Sequence, residues 1–516
     1  MEKETKEIPM MASVTSQVLL VVDEPHKHQQ VDGADKALEL IDGETLDFSP
    51  EEEKKVLRKI DMFVLPWLFS MYFFQFLDKQ TLTYTAIMGL KEDCNLKGSE
   101  YSWVGSIYYG TFLISAYPHS RMMQIFSESK YVSFFGMLWG ATLMCMAACH
   151  SFGGLMTVRA LMGVLESPTV TGLVLITGKW YRKYEQSTRS GMWFTSVGFA
   201  SMLGSILAFS AYRGHQETNV TYASWRILSL GIGSSTVVWG GCMFLFMAES
   251  PIKAKYFSDR ERRIAIERLR DNQHGVGSQE FKWDQFRECL LDVRTWIYFL
   301  FMVTSQIPVG GIQVFASQML VSYGFGTDIT LLVQTLPSGF LQILCAFGFG
   351  WIGDKYRNRT LAFFLCMLVS IFGMGLMVGL QNVGSLYRKE VQLVAYIILM
   401  GSSATPFALI SAISASNVVG HTKKTTTNGI IFTGLAVAYF IGPQVFDDGP
   451  KYLRAKVVAL ILWVITVILL GSYFVLNKWE NKRRDKKQLE SPMEKPDNIE
   501  FMDLTDKQNP FFRYVY

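Results

Sequence analysis

The sequence predicts an all-α membrane protein, with twelve transmembrane helices in two six-helix bundles. Roughly a dozen long apolar stretches fill residues 62–476, and one sizeable charged insert at 249–292 separates them into two sets. A hydrocarbon core about 30 Å thick needs about 20 mostly apolar residues for each helical crossing, and these stretches reach that length. In addition, 49% of the residues are hydrophobic and 18% are charged, which leaves little polar surface for a soluble domain of this size.

The expected crossings divide the chain into five parts. A polar tail covers residues 1–58, the first bundle 59–248, a linker 249–293, the second bundle 294–476 and a C-terminal tail 477–516. The crossings are expected to begin after these residues: Ile60, Tyr101, Lys130, Ser151, Arg189 and Trp225 in the first half, and Asp292, Asp328, Arg359, Glu390, Thr427 and Arg454 in the second. An even number of crossings places both tails on the same side of the membrane.

Two further helices are expected outside the crossings. Before the first crossing, Ser49, Pro50 and Glu52 form the pattern of a helix start. The serine and glutamate side chains bond to free backbone amides, and proline suits the first turn. In the linker, arginine and glutamate residues surround Ile264 and Leu269, which predicts a surface helix packed under the membrane domain.

Basic residues indicate which side of the membrane the tails occupy. The short loops on the tail side carry these cations: Lys179, Arg182, Lys183, Arg189, Lys355, Arg357, Arg359, Lys423 and Lys424. Because cytoplasmic loops are enriched in lysine and arginine, we expect both termini in the cytoplasm. Asn219, in the triplet Asn219-Val220-Thr221, then lies in an external loop as a glycosylation acceptor.

Composition and spacing argue against an enzyme or a nucleic-acid-binding protein. The formal net charge of +4 is small and scattered. The seven histidines and seven cysteines are dispersed and form no metal-ligand or nucleophile constellation. We therefore expect no cofactor, no metal site and no catalytic residues.

Two ionisable residues lie inside the fourth apolar stretch. Each charged residue at a helix centre costs about 2.5 to 3.5 kcal/mol on insertion, while a leucine or isoleucine returns only about 0.3 to 0.6 kcal/mol. Arg159 and Glu166 are seven positions apart, close to two helical turns, so both should face the same way. That face is expected to line the protein interior.

A second pair, Asp78-Lys79, ends the apolar run of the first stretch and lies in the membrane if the helix continues to about residue 86. The cations Lys79 and Arg159 can attract an anionic substrate, while the carboxylates Asp78 and Glu166 can bind and release protons. The alternative is an interhelical ion-pair network that only holds the first and fourth helices together.

Uncharged amides provide a candidate opposite wall for the substrate. Gln306 and Gln313 are seven positions apart in the seventh stretch, and Asn417 ends the tenth. Amides can hydrogen-bond a carboxylate or a urea-like group without the desolvation cost of a charge. Hydrogen bonding between helices explains each amide equally well.

Several motifs together resemble a known family. They are Phe76-Leu77-Asp78-Lys79, the stretch from Arg159 to Glu166 followed by Pro168, the loop Trp351-Ile352-Gly353-Asp354-Lys355-Tyr356-Arg357-Asn358-Arg359, and the tail segments Asp503-Leu504-Thr505-Asp506 and Asn509-Pro510. From residue 51 onward, the chain resembles fungal members of the major facilitator superfamily, in the anion:cation symporter branch around allantoate permease. The resemblance implies alternating-access uptake of small carboxylates or vitamins, usually driven by protons.

The resemblance also implies residue roles. It supports Asp78 and Glu166 as proton sites, with Lys79 and Arg159 near the substrate anion. A cytoplasmic gate is implied at these loop positions: Gly353, Asp354, Arg357 and Arg359. The corresponding first-half loop, residues 121–130, lacks the superfamily's glycine and aspartate, so latching is expected to depend mainly on the second-half loop. Lys79 stands where related symporters commonly have arginine, which weakens bidentate carboxylate binding there.

We therefore expect proton-coupled uptake of a small organic anion, such as a carboxylate, ureido acid or vitamin, by a monomer in the lipid bilayer of the plasma membrane. One alternative is a carrier for a neutral or cationic vitamin, which Lys79 and Arg159 make less natural. The other is a nutrient receptor that keeps the fold without transporting.

Overall fold

The computed structural model describes residues 48–218, 221–274, 282–356, 358–381, 388–403, 405–490 and 504–516. The first bundle contains α1 (Pro50–Thr85), α2 (Glu100–Met122), α3 (Glu128–Met146), α4 (Phe152–Glu166 and Pro168–Trp180), α5 (Lys183–Phe194 and Ser196–Thr218) and α6 (Ser224–Phe246). The second contains α7 (Val293–Ser322), α8 (Thr327–Val333 and Leu336–Lys355), α9 (Arg359–Gly379), α10 (Arg388–Ser403 and Thr405–Asn417), α11 (His421–Val445) and α12 (Leu453–Glu490). The predicted all-α, two-bundle fold is confirmed.

Ten of the twelve helices in the described chain are long and apolar enough to cross a membrane by composition alone. The other two are α2, with 23 residues, and α3, with 19. α2 contains four serines and four tyrosines, and α3 contains a glutamate, a lysine and two serines, which lowers their hydropathy. They pack inside the first bundle, α2 against α4 and α3 against α6. Their polar residues therefore lie at protein contacts, where an apolar composition is not required.

The start of α1 has the predicted capping pattern. The Glu52 backbone amide donates to Ser49 Oγ at 3.2 Å, and the Ser49 amide donates to Glu52 Oε2 at 3.1 Å. Helix α1 runs without interruption for 36 residues, so the expected short surface helix and the first crossing are one element. A π-helical segment, Ala86–Leu90, follows it, and Gly89 there has φ of +107°, a left-handed value that favours glycine.

The linker contains two helices, one attached to each bundle. The first linker helix, Asp259–His274, lies against the first bundle, where Arg268 bonds to Glu185 at 2.6 Å and to Glu53 at 3.2 Å. This confirms the predicted surface helix. The second linker helix, Trp283–Leu291, packs against α11 of the second bundle. The linker thus contacts both bundles at the same end of the molecule, which we name the linker end.

The two bundles meet at the opposite end, which we name the far end. Six uncharged side chains form what we call the far-end network: Thr83, Tyr84, Ser205, Ser317, Gln334 and Thr335. The hydroxyls of Thr83 and Ser317 are 3.2 Å apart and join α1 to α7. Those of Tyr84 and Thr335 are 2.6 Å apart and join α1 to α8. These contacts close the far end.

Candidate functional site

Helices α1 and α4 bring opposite charges together inside the first bundle. Lys79 Nζ lies 3.2 Å from Glu166 Oε1; the Glu166 side chain is completely buried and that of Lys79 is 18% exposed. The separation defines an ion pair, but neither carboxylate oxygen has a hydrogen bond of good geometry. The electrostatic attraction between the two charges depends on their separation and only weakly on the hydrogen-bond angle, so the two groups still attract each other. As expected, ionisable residues of the first and fourth helices lie close together.

Asp78 occupies a separate position on α1. Its carboxylate accepts a hydrogen bond from the Trp139 indole N–H, and both side chains are completely buried. The other carboxylate oxygen, Oδ1, has no hydrogen-bond partner. Sequence reasoning did not select Trp139, because a tryptophan within an apolar stretch looks like ordinary core.

Arg159 is buried, and no described carboxylate pairs with it. Its side chain is 3% exposed and lies over the ring of Tyr108, 5.0 Å from the centroid. Its Nε donates to the Val104 carbonyl at 3.5 Å, and no aspartate or glutamate of the described chain lies within 4.0 Å. A cation over an aromatic face is stabilised by roughly 0.5 to 2 kcal/mol, which does not replace a counter-ion.

Glycine places this arginine against α2. A Cβ at Gly163 would lie 2.2 Å from the carbonyl oxygen of Tyr108, so only glycine permits the close approach of the two helices. Gly163 lies one helical turn after Arg159 on α4, and the contact holds Arg159 beside the tyrosines of α2.

Tyrosines form a wall that sequence reasoning also missed. The rings of Tyr109 on α2 and Tyr439 on α11 are 4.9 Å apart, so this contact joins the two bundles. Tyr108 precedes Tyr109 and lies beside Arg159. The adjacent tyrosines were a visible signal, but their position relative to the charges depends on how α2 packs on α4 and α11.

The two glutamines of α7 share one stripe of the helix with Ser317. Gln306, Gln313 and Ser317 are separated by seven and four residues, so their side chains point in similar directions. Ser317, at the far end of the stripe, contacts Thr83 of α1. Gln306 is 1% exposed, and its Nε2 is buried without a hydrogen-bond partner among the residues that the structure describes. An unpaired buried amide is costly and is a natural donor to a bound solute.

Asn417 lies elsewhere, at the linker end of α10. Its Nδ2 donates to the Tyr473 hydroxyl at 2.6 Å and to the Val515 carbonyl at 2.8 Å. Its Oδ1 accepts from the Val515 amide at 2.7 Å. Both donors are used, so we assign Asn417 to holding the C-terminal tail and not to the substrate wall.

The gate residues are described only in part. Arg359 Nη1 donates to the Ala412 carbonyl at 2.6 Å and also to Ser416, which ties α9 to α10. Gly353 has ordinary van der Waals space around it, with Ala362 3.6 Å from an added Cβ. Arg357, the side chain of Asp354 and the glycosylation candidate Asn219 lie outside the described residues. The gate and the glycosylation site remain predictions.

The fold and the buried charges define a class of protein. Two helical bundles that meet around intramembrane ionisable residues form the architecture of a solute transporter. The profile of the Major Facilitator Superfamily matches residues 68–443. The chain belongs to the Major Facilitator Superfamily, as its motifs predicted.

Fungal transporters are similar over almost the whole chain. The allantoate permease of Saccharomyces cerevisiae is 34% identical over 495 residues, which cover 94% of this chain and 90% of the permease. An uncharacterized transporter of Schizosaccharomyces pombe is 34% identical over 472 residues, covering 91% of each chain. The thiamine pathway transporter of S. cerevisiae is 32% identical over 486 residues, covering 93% of this chain and 90% of the relative. The protein is therefore a membrane transporter and not an enzyme.

A solved structure shares the fold at low identity. It is a bacterial homolog of the human lysosomal transporter Spinster, in an inward-facing and occupied conformation. The TM-score is 0.60 at 14% sequence identity, and the match covers 81% of this chain and 97% of that chain. At this identity the likeness shows the architecture alone.

Proposed function

We propose that the protein takes up a small organic anion together with at least one proton, by alternating access across the plasma membrane. The observation that carries the proposal is the difference between the two cations inside the first bundle. Glu166 neutralises Lys79 at 3.2 Å, whereas Arg159 has no carboxylate within 4.0 Å in the described chain. A buried arginine of this kind is stabilised by an anionic ligand, whose carboxylate can accept two parallel hydrogen bonds from it.

The charge balance supports coupling to protons. Two cations, Lys79 and Arg159, and two carboxylates, Asp78 and Glu166, sum to zero formal charge. An arriving carboxylate leaves one net negative charge in a buried space, at a cost of several kcal/mol. Proton uptake by Asp78 or Glu166 restores neutrality. Anion and proton therefore favour each other's binding, which is the thermodynamic condition for symport.

The substrate wall is proposed from both bundles. Arg159 and the tyrosines supply the first side, and Gln306 and Gln313 of α7 supply the second. The unpaired Gln306 amide supports this assignment, because a solute with a carbonyl or carboxylate group satisfies it. Helices from both bundles then contact the same solute, as alternating access requires.

The closed far end supports an orientation for the transport cycle. We propose that the linker end faces the cytoplasm and that the far-end network opens to admit solute from outside. A gate at the linker end, formed by Gly353, Asp354, Arg357 and Arg359, would close when the far end opens. The basic residues of the linker-end loops support this direction.

Uptake into lipid vesicles containing the purified protein tests the proposal. The solutes are allantoate, a short-chain carboxylate and the matched pair nicotinate and nicotinamide, each with and without a pH gradient that is acidic outside. We expect saturable uptake of at least one carboxylate, stimulated by the gradient and abolished by a protonophore. Adding that solute should make the external medium more alkaline.

The matched pair separates this function from its alternatives. Nicotinamide has the shape of nicotinate without its negative charge, so equal or faster uptake of the amide would support a carrier of neutral vitamins. Carboxylate uptake that is indifferent to the pH gradient would remove the proton from the mechanism. Absence of uptake for every solute, with preserved solute binding, would favour a receptor.

A further inference from the structure

The end of the chain folds back onto the linker end of the second bundle. Residues 504–516 contact α7, α9, α10, α11, α12 and the second linker helix, through hydrogen bonds, ion pairs and ring contacts. Five of the six helices of that bundle are therefore touched by one thirteen-residue segment. We call it the tail segment.

One end of the tail segment is held by a buried ammonium group. Lys423 Nζ lies 2.6 Å from Asp506, 2.8 Å from Asp292 and 2.9 Å from Glu288, and the Lys423 side chain is 1% exposed. The three carboxylates come from the tail, the end of the second linker helix and that helix itself. Their oxygens lie within 4.8 Å of one another, the arrangement of a cation site, and the lysine lies among them.

The other end is recognised through its backbone. Asn481 Nδ2 donates to the Tyr514 carbonyl at 2.9 Å, and Asn481 Oδ1 accepts from the Tyr514 amide at 2.9 Å. Asn417 makes the same pair of bonds to the next residue, Val515, at 2.8 and 2.7 Å. Each asparagine side chain thus bonds as a neighbouring β-strand would. Backbone pairing of this kind is a common mode of binding extended peptides.

The Tyr514 side chain supplies the anchor between these two ends. Its ring lies 3.9 Å from the Arg294 guanidinium carbon and 5.0 Å from that of Arg484. Its hydroxyl donates to Asp506 at 2.6 Å, which connects the anchor to the lysine cluster. A buried aromatic ring between two guanidinium groups, with its hydroxyl bonded, has the character of an interface hot spot.

From these contacts we propose that the linker end of the second bundle is a peptide-binding site, and that the tail segment is its built-in ligand. The recognised chemistry is an acidic side chain eight residues before an aromatic anchor, followed by backbone read by two asparagines. Occupancy of the site holds the ends of α7, α10, α11 and α12 in one arrangement, so that the second bundle moves as a unit.

Variants of the complete chain test the proposal first. Asp506→Asn keeps the side-chain shape and removes one carboxylate, and Asn481→Ala removes both bonds to Tyr514. We expect amide hydrogen exchange of residues 505–516 to become about tenfold faster or more, with a lower melting temperature. Val515→Ala is the matched control, because that side chain is 41% exposed while only its backbone is bonded. Unchanged exchange in both test variants would overturn the proposal.

A synthetic peptide tests the site directly. The chain is ended after residue 503, and the peptide of residues 504–516 is added to the purified protein. We expect saturable binding that raises the melting temperature toward that of the complete chain. The same peptide with Asp506→Asn should bind about 10- to 100-fold more weakly. A folded truncated protein that does not bind the unaltered peptide would contradict the inference.

Truncation can prevent folding, so the complete-chain variants decide the proposal on their own. Exchange, melting and peptide binding involve no transported solute. The peptide-binding site can therefore fail while the proposed transport function stands, and the reverse also holds.

Discussion

The Trp139 indole N–H donates a hydrogen bond to the Asp78 carboxylate, and both side chains are completely buried. This contact joins α3 to α1 and gives Asp78 its single side-chain donor in the described chain. A hydrogen bond to a carboxylate favours its ionised form. In the proposed cycle, where Asp78 binds and releases a proton, Trp139 is therefore the side chain that contacts the proton site directly.

Replacing Trp139 by phenylalanine should change the pH dependence of uptake without abolishing folding. The lost bond to a charged acceptor is worth about 1.5 to 3 kcal/mol, which corresponds to about one to two pH units. Because the ionised carboxylate loses its donor, the midpoint of the uptake curve should move to higher pH. Trp239→Phe is the control, since that indole donates to the Ser70 hydroxyl at 2.6 Å and not to a carboxylate. Equal curves for the two variants would argue against this role of Asp78.

Arg159 should control affinity for anions. Arg159→Gln removes the charge, and we expect the half-saturating concentration of a carboxylate substrate to rise about 10- to 100-fold, the value of one charge-assisted hydrogen bond. Arg159→Lys keeps the charge but loses the planar fork, so its defect should be smaller. The measurement is initial uptake rate against substrate concentration. Arg213→Gln, a 52% exposed side chain near Asp328, should leave the affinity unchanged.

The Lys79–Glu166 pair should behave as a unit. Lys79→Gln leaves a buried carboxylate without its cation, which we expect to destabilise the protein by about 3 to 5 kcal/mol. The double variant, Lys79→Gln with Glu166→Gln, should recover most of the melting temperature that Lys79→Gln alone loses. If the single and double variants melt alike at neutral pH, the ion pair does not have this importance.

Locking the far end should stop transport. The Thr83 and Ser317 hydroxyls are 3.2 Å apart, so Thr83→Cys with Ser317→Cys places two thiols in reach of a disulfide. Oxidation should block uptake, and a reductant should restore it. Each single cysteine variant is a control for modification of one thiol. Undiminished uptake by fully cross-linked protein would show that the far end need not open.

The lysine cluster should stabilise the protein down to low pH. Burial alone would raise the pKa of the Asp292 carboxyl, but the charges of Lys423 and Lys507 and a hydrogen bond from Lys423 outweigh it, and the pKa lies below its usual value. A lowered pKa contributes stability that is complete above the unfolded value of about 3.9 and is lost as pH falls through the folded value.

Melting temperature measured from pH 7 downward checks this expectation. The contribution of Asp292 should persist through pH 5 and be lost below about pH 4. Asp292→Asn should remove the part of this loss that Asp292 contributes. Lys507→Gln, which removes the weaker and more exposed of the two cations, should remove a smaller part of it. A loss that is complete at pH 6 would contradict the sign of the shift.

Much of the architecture was predictable because a bilayer imposes simple rules. Continuous apolar length marks the crossings, and the insertion cost of Arg159 and Glu166 marks them as inward-facing. Helices α2 and α3 are the weaker cases, since protein contacts and not lipid surround their polar residues. The pairing of Lys79 with Glu166 needed only the assumption that the first and fourth helices share an interior face.

Other parts of the site depend on partners that a single sequence does not reveal. Asn417 was expected in the substrate wall, yet it bonds to Val515, 98 positions away. In the sequence, Thr83 and Ser317 cannot be told apart from other serines and threonines whose hydroxyls bond to the backbone of their own helix. Trp139 likewise cannot be distinguished in the sequence from the other aromatic residues of the apolar stretches. These roles arise from helix packing, which spacing along the chain does not determine.

The six side chains of the far-end network carry no charge. Its members are hydroxyls and amides, none of which changes charge between strongly acidic and neutral conditions, and dissolved ions screen such neutral contacts very little. If this end faces the growth medium, the contacts of this network keep the same strength when the medium becomes acidic or saline. Acidity then changes the proton gradient that drives accumulation, while the hydrogen bonds of the far-end network stay the same.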